Sequence, residues 1–140
     1  MTKTKNPHHI EFAGDYNLDH IFLHNHYGET VDIKRLVIEL NIFESIYKNA
    51  LTGSIVITDA QNLISKLEIH GTERISFKLA TPGAMGNRTM VDASVETGHP
   101  FHVYKITDRK QLTPGTNLYI LHFGSREFMR NMRTKVSQAY

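Results

Sequence analysis

The sequence predicts a mainly β chain, an antiparallel β-barrel or sandwich with a short internal helix and a C-terminal amphipathic helix. Three observations carry that expectation. Apolar and polar side chains alternate in short runs, most clearly where Ile75, Phe77 and Leu79 interleave with Ser76 and Lys78. A period of two sends the two sets to opposite faces of a sheet. The runs are closely spaced and separated by Gly and Pro, as in antiparallel barrels and sandwiches. Residues 125–140 change period: Phe128, Met129, Met132, Val136 and Ala139 recur at helical spacing, opposite Arg126, Arg130 and Arg133.

Taken in order, residues 1–9 read as a flexible arm, 10–124 as the β domain and 125–140 as the terminal helix. Two short β runs are expected between 10 and 27, broken near Gly14 and Asp15. In the second, Ile21 and Leu23 alternate with His20, Phe22, His24 and His26. Gly28 and Glu29 form a hairpin turn into a long strand over 30–42. There Leu36, Ile38, Leu40 and Ile42 share one face. Val31, Ile33 and Val37 partly cover the other, mixed with Arg35 and Glu39.

A helical turn or bulged corner is expected over 44–49, then a β-branched strand over 54–58 opened by Gly53. Asp59 is the expected N-cap of a short helix over 60–67. Gly71 turns the chain into the strand over 74–80, and Pro82, Gly83 and Gly86 punctuate a loop. Strands over 90–96, 101–107 and 117–123 complete the set, with Pro114 and Gly115 turning the last pair. Ser125 is the expected N-cap of the final helix, and Glu127 suits its positive N-terminus.

A length of 140 residues suits one domain with a real core. Apolar residues at 40% and charged residues at 21% are ordinary for a globular chain. The sequence has no Cys, which excludes disulfides and thiolate metal sites. No apolar run approaches the ~20 residues of a membrane-spanning helix, and the N-terminus lacks the apolar stretch of a signal peptide. The net charge of +2 is too small to indicate a nucleic-acid binder. It is unevenly placed: residues 105–140 carry seven Lys/Arg against two Asp/Glu, and residues 1–104 carry nine against twelve.

Catalytic motifs do not emerge, so no catalytic residue is assigned and the chain is read as a non-enzyme. There is no G-x-S-x-G, and the TPGAMGN loop lacks the G-K-[ST] ending of a phosphate loop. Asp15 with Asp19, and Glu68 with Glu73, fall at turns or strand edges. Nine histidines raise the question of a metal. His24 and His26 form a possible chelating pair with His20 on the same face, but no closing ligand stands nearby in sequence; only His102 and His122 on other strands could supply one. No metal and no cofactor are therefore expected. Tyr104, Tyr119 and Phe123 could stack bases, but Tyr119 and Phe123 share a face with Leu121, which suits a core.

Four stretches, VDIKRLVIELNIFESIYKNALTGSIVITDAQNLI, GTERISFKLATPG, FHVYKITDRKQL and LYILHFGSREFMRNMRTKVSQAY, resemble the N-terminal domain of baseplate hub proteins from contractile-tailed bacteriophages of the T4 type. The resemblance implies a tail-tube-like β-barrel without catalytic residues. It also implies a structural virion protein of the tail baseplate, assembled in the host cytoplasm. Such proteins form homo-oligomeric rings, a trimer being favoured, that join the tail tube protein to the central spike protein and enclose the DNA path. DNA would be passing cargo, and this domain would make no membrane contact. Because hub proteins of this kind are longer, residues 125–140 are expected to begin a connection to a downstream domain.

The candidate subunit interface is Ile33, Arg35, Val37 and Glu39 on the long strand, with Arg126, Arg130 and Arg133 on the helix. Two other classes compete with the hub reading. One is a metal- or ligand-binding small barrel using the His-rich strand; the other is a nucleic-acid-binding small barrel using the basic helix.

Overall fold

The computed structural model describes residues 16–82 and 88–134. It is mainly antiparallel β. The elements are β1 (Ile21–His24), β2 (Thr30–Asp32), a 3-10 turn (Lys34–Leu36), β3 (Val37–Phe43), β4 (Thr52–Asp59), α1 (Leu63–Lys66), β5 (Arg74–Thr81), β6 (Arg88–Asp92), β7 (Phe101–Thr113), β8 (Thr116–Gly124) and α2 (Arg126–Arg133). The hydrogen-bonded path runs β2-β1-β5-β7-β8-β4-β3, and β6 pairs with β5 off that path. The path is open, ending at β2 and at β3. The two end strands are neighbours in sequence, linked only through Ile33 and the 3-10 turn.

One face of this sheet makes the core. Ile57 pairs with Tyr119, Ile55 with Leu121 and Gly53 with Phe123 across β4 and β8. The row continues through Val103 opposite Phe123, Ile75 opposite Phe101, and Leu23 opposite Ile75 beside Ile21 opposite Phe77. All of these apolar side chains are buried. Phe77, Phe101 and Phe123 form a ring cluster with centroids 5.0–6.3 Å apart. Gly53 lies beneath it, where a Cβ would run into the Asn41 carbonyl oxygen and the Phe123 ring. The alternation at Ile21 and Leu23 and at Ile75 and Phe77, and the core placement of Tyr119 and Phe123, are thus as expected.

Leu63 and Leu67, in and beside α1, and Ile69 fill the same core. The helix is shorter than the expected 60–67. Asn62 holds a left-handed conformation with φ of 55° and displaces the helix start. Asn62, not the expected Asp59, is the N-cap and makes no side-chain cap bond. The Asp59 carboxylate reaches the helix start from outside, accepting from the backbone N–H groups of Gln61 at 2.9 Å and Leu63 at 2.7 Å. Tyr119 donates its hydroxyl to the same carboxylate at 3.3 Å. Burial first, then the Asp59 charge and that hydrogen bond, push the Tyr119 phenol upward. Glu73 closes the following turn by accepting from the N–H groups of His70 and Gly71. Two buried carboxylates therefore replace the backbone partners that the loops lack.

The expected long strand over 30–42 is instead two strands at opposite ends of the sheet. Asp32 ends the first by accepting from Lys34 N–H at 3.0 Å, a short side-chain turn that competes with the ladder. Ile33 then donates its N–H to Ile21 O and buries its side chain completely. In β3 the register shifts between Val37 and Glu39. A bulge of this kind flips every later residue to the other face. Val37, Leu40 and Ile42 consequently face Ile57, Ile55 and Gly53, while Ile38 leaves the expected row and is 62% exposed.

Smaller differences follow the same physics. Residues 44–49 form a turn closed by Lys48 N–H to Ser45 O, with no helical turn. The strand expected over 90–96 is β6, ending at Asp92, whose carboxylate accepts from Ser94 N–H and starts a turn. β7 extends to Thr113 through irregularities near Tyr104 and Asp108, the latter with φ of 54°. In α2 Ser125 caps as expected, accepting from Phe128 N–H. Phe128 packs on Tyr104 at 5.1 Å, whereas Met132 is half exposed. The arm over 1–9, the loop over 83–87 and the stripe positions Val136 and Ala139 lie outside the described residues.

Candidate functional site

Two surfaces carry the chemistry-bearing residues that the sequence singles out. The first is the outer face of β1. Period-two alternation turns Ile21 and Leu23 inward and leaves His20, Phe22 and His24 outward. They line an open cleft of about 390 Å³ together with Thr30, Ser76, Lys78, Val95 and Glu96. His20 stacks on Phe22 with centroids 5.2 Å apart, and its Nδ1 lies 2.7 Å from Asp32 Oδ2. Burial is the largest single influence and raises Asp32, but the hydrogen bonds from His20, Lys34 and Ile21 together outweigh it and hold the carboxyl below its ordinary value.

His24 is tied at both ring nitrogens. Nδ1 sits 2.8 Å from Thr30 Oγ1 on β2, and Nε2 sits 2.7 Å from Ser76 Oγ on β5. Burial and then the Arg74 charge depress its pKa. A serine against a histidine invites comparison with a nucleophile and its base. That chemistry needs a carboxylate behind the ring to orient it and stabilise the imidazolium. Here a threonine hydroxyl occupies that place and an arginine opposes the charge. Ser76 is also only 5% exposed where it borders the cleft. A second pair of the same kind, Thr107 Oγ1 to His122 Nε2 at 2.7 Å, stands on β7 and β8. Such pairs satisfy hydroxyls on the outer face. Among the described residues every buried side-chain polar atom has a partner.

The suggested metal ligands are not brought together. His26 lies beyond β1, exposed and edge-on to Tyr27. His102 stands across Arg74 from His24, and His122 is held by Thr107. Among the described residues no three His, Asp or Glu side chains are placed to hold one ion.

The second surface is the β3 edge with its turn. Ile38 and Phe43 of β3, and Ile46 and Tyr47 of the turn, are 62%, 59%, 92% and 90% exposed. β3 pairs on one side only, with β4, and its other edge is open. Of the candidate interface residues, Arg35 and Glu39 are exposed there, and Glu39 accepts from Asn41 Nδ2 at 2.7 Å. Ile33 and Val37 are not on that surface: Ile33 is fully buried and Val37 faces the core, because the 3-10 turn and the bulge rotate them inward.

Arg126, Arg130 and Arg133 are exposed on α2, as their spacing implies. The helix itself is docked by Phe128, whose ring fills the place a Cβ on Gly124 would take. The sequence reads Phe43, Ile46 and Tyr47 as packing and turning residues, but all three stand exposed at the end of β3 and in the turn after it. The sequence reading missed Ser76 and Arg74, whose roles come from strands distant in sequence. Against protein-family models and against curated proteins, the chain matches none.

Proposed function

We propose that the chain is a structural virion domain, a baseplate hub or tail-tube adaptor that packs side by side into a ring around the DNA path. It would join the tail tube to the central spike. The observation that carries this reading is the open β3 edge bordered by exposed Ile38, Phe43, Ile46 and Tyr47. An unpaired edge strand is a template for pairing with another chain, and clustered exposed apolar residues mark contact sites. Rings require head-to-tail contacts between different surfaces of each copy. The β3 edge would supply one of those two surfaces.

A tube-like barrel is part of the proposal, and the topology supports it. Seven strands lie on the hydrogen-bonded path. Laid flat, its outer strands would stand about 29 Å apart at ~4.8 Å per strand. The link from Asp32 to Val37 reaches no more than about 17 Å even fully extended. Such a link favours a curled sheet in which the end of β2 comes near the start of β3, while the rest of the β3 edge stays unpaired. The four resembling stretches coincide with β2 to α1, β5, β7 and β8 with α2, which are the elements that make this curl.

Analytical sedimentation with negative-stain imaging tests the reading. Concentration-dependent rings, weakened by Ile46→Ser with Tyr47→Ser, are expected. A chain that stays monomeric at high concentration in its full genomic length, and binds no tail protein, would rule the assembly role out.

A further inference from the structure

The register of three strands builds a feature that no single stretch of sequence contains. His24 of β1 stands opposite Arg74 of β5, and Arg74 stands opposite His102 of β7. Neighbouring strands are ~4.8 Å apart, so three basic side chains form a row on the outer face. His102 pairs onward with Gly124, and α2 begins two residues later. That helix lies against β7 through Phe128 on Tyr104, and its Arg126 and Arg133 act electrostatically on His102 alongside Arg74. Arg74, Arg126 and Arg133 are exposed, and His24 and His102 are half-buried. Among the described residues the ion pairs are His20 with Asp32 and Lys78 with Glu96, and neither involves these arginines.

We propose that this strip of Arg74, Arg126 and Arg133, flanked by His24 and His102, binds an acidic protein segment, a run of Asp or Glu side chains from a partner. Protonated, His24 and His102 would put like charges opposite Arg74, which is destabilising, so the row favours something negative to cover it. The fold limits that cost by keeping the rings neutral: burial first, then the arginine charges, depress both histidines. Guanidinium groups bind carboxylates through paired, charge-assisted hydrogen bonds. The strip is also short and fenced. Glu127 follows Arg126 directly, and Glu96 stands in the cleft beyond His24. A nucleic-acid backbone running on past the strip would meet those carboxylates, whereas a short acidic segment ends within it.

Binding should take up protons. The groups facing His24 are Thr30 on β2, Ser76 and Arg74 on β5 and Phe22 on its own strand, with the His20–Asp32 pair farther along. Both hydroxyl oxygens can accept, so His24 can gain a proton without losing either bond. His102 faces Arg74, Arg126 and Arg133, with Gly124 opposite. A bound carboxylate opposes the arginine fields and favours the protonated form of both rings. Affinity should therefore rise as pH falls through the histidine range.

The test is a titration of the protein with a fluorescently labelled oligo-glutamate peptide at low salt, with a labelled DNA oligonucleotide as the competing arm. Peptide affinity should fall about tenfold or more in Arg74→Glu with Arg126→Glu, as expected for lost charge pairs. It should rise between about pH 8 and pH 6, and that rise should flatten in His24→Gln with His102→Gln. Circular dichroism verifies the fold, and Arg74→Gln with Arg126→Gln replaces the reversal if folding suffers. Unchanged peptide binding in a folded variant, no peptide binding at all, or tighter binding of the oligonucleotide than of the peptide would each overturn the proposal. The readout is a one-to-one titration, so its failure is separate from failure of ring formation.

Discussion

In the middle of the sheet, Ile55 and Ile57 of β4 face Leu121 and Tyr119 of β8, and all four are fully buried. At the β3 edge, only two strands away from β8, Ile38 and Phe43 stand mostly in solvent, and Ile46 and Tyr47 almost wholly so. The two regions hold similar apolar side chains. They differ in what surrounds the backbone. β4 has a partner on each side, and its residues alternate strictly between core and outer face. β3 has one partner, a bulge and an open edge. Apolar character is fully used inside the fold at the centre and left over at the edge. Stability should therefore concentrate in the first region and association in the second.

The largest effect expected from breaking the central region is Phe77→Ala. Phe77 is 3% exposed and touches both Phe101 and Phe123. Removing the ring leaves a cavity and should cost about 3–5 kcal/mol, read by denaturant unfolding. A loss below about 0.5 kcal/mol, typical of surface sites, would mean that this cluster does not hold the sheet.

Gly53→Ala probes the same region from the opposite direction, by adding volume. The new methyl would meet the Asn41 carbonyl oxygen and the Phe123 ring. The ring can shift but the backbone oxygen belongs to the β3 ladder, so the strain passes into the edge strand. Overpacking of this sort costs about 1–3 kcal/mol. The variant should lose hydrogen-exchange protection in β3 more than in β8. Equal loss in both strands would show that β3 is not mechanically separate.

These two regions also explain what could be read from the sequence. Ile75, Phe77, Ile55 and Ile57 were legible because a strand with one buried face must alternate, and nothing interrupts them. The Ser125 cap was legible because it bonds within three residues. The local bond of Asp59 to the start of α1 was legible too, but not that a left-handed Asn62 takes the N-cap position. The 30–42 segment was not. Its apolar content is even, so no period reveals that Asp32 turns the chain or that Ile38 is extruded. A bulge adds one residue without a composition signal of its own. For the same reason the sequence did not reveal that, of the candidate interface residues on this segment, Arg35 and Glu39 are outward and Ile33 and Val37 inward. The basic strip was not legible at all, because Arg74 and His102 meet only through strand pairing.

The smallest expected effect on stability, and the sharpest on the comparison, belongs to Tyr47→Ser. Tyr47 is 90% exposed, and its backbone N–H is held by the Ser45 hydroxyl at 3.3 Å regardless of the ring. Removing the ring uncovers no core, so unfolding should move by no more than about 0.5 kcal/mol. The same ring, lying beside Ile46 at an open strand edge, is the side chain a docking copy would cover. Self-association measured by sedimentation should weaken while the melting curve stays in place. A variant that melts early would place Tyr47 in the fold instead of at its boundary. One that associates as well as the parent would move the contact away from the β3 turn and leave the open edge of β3 as the only part of this region to test.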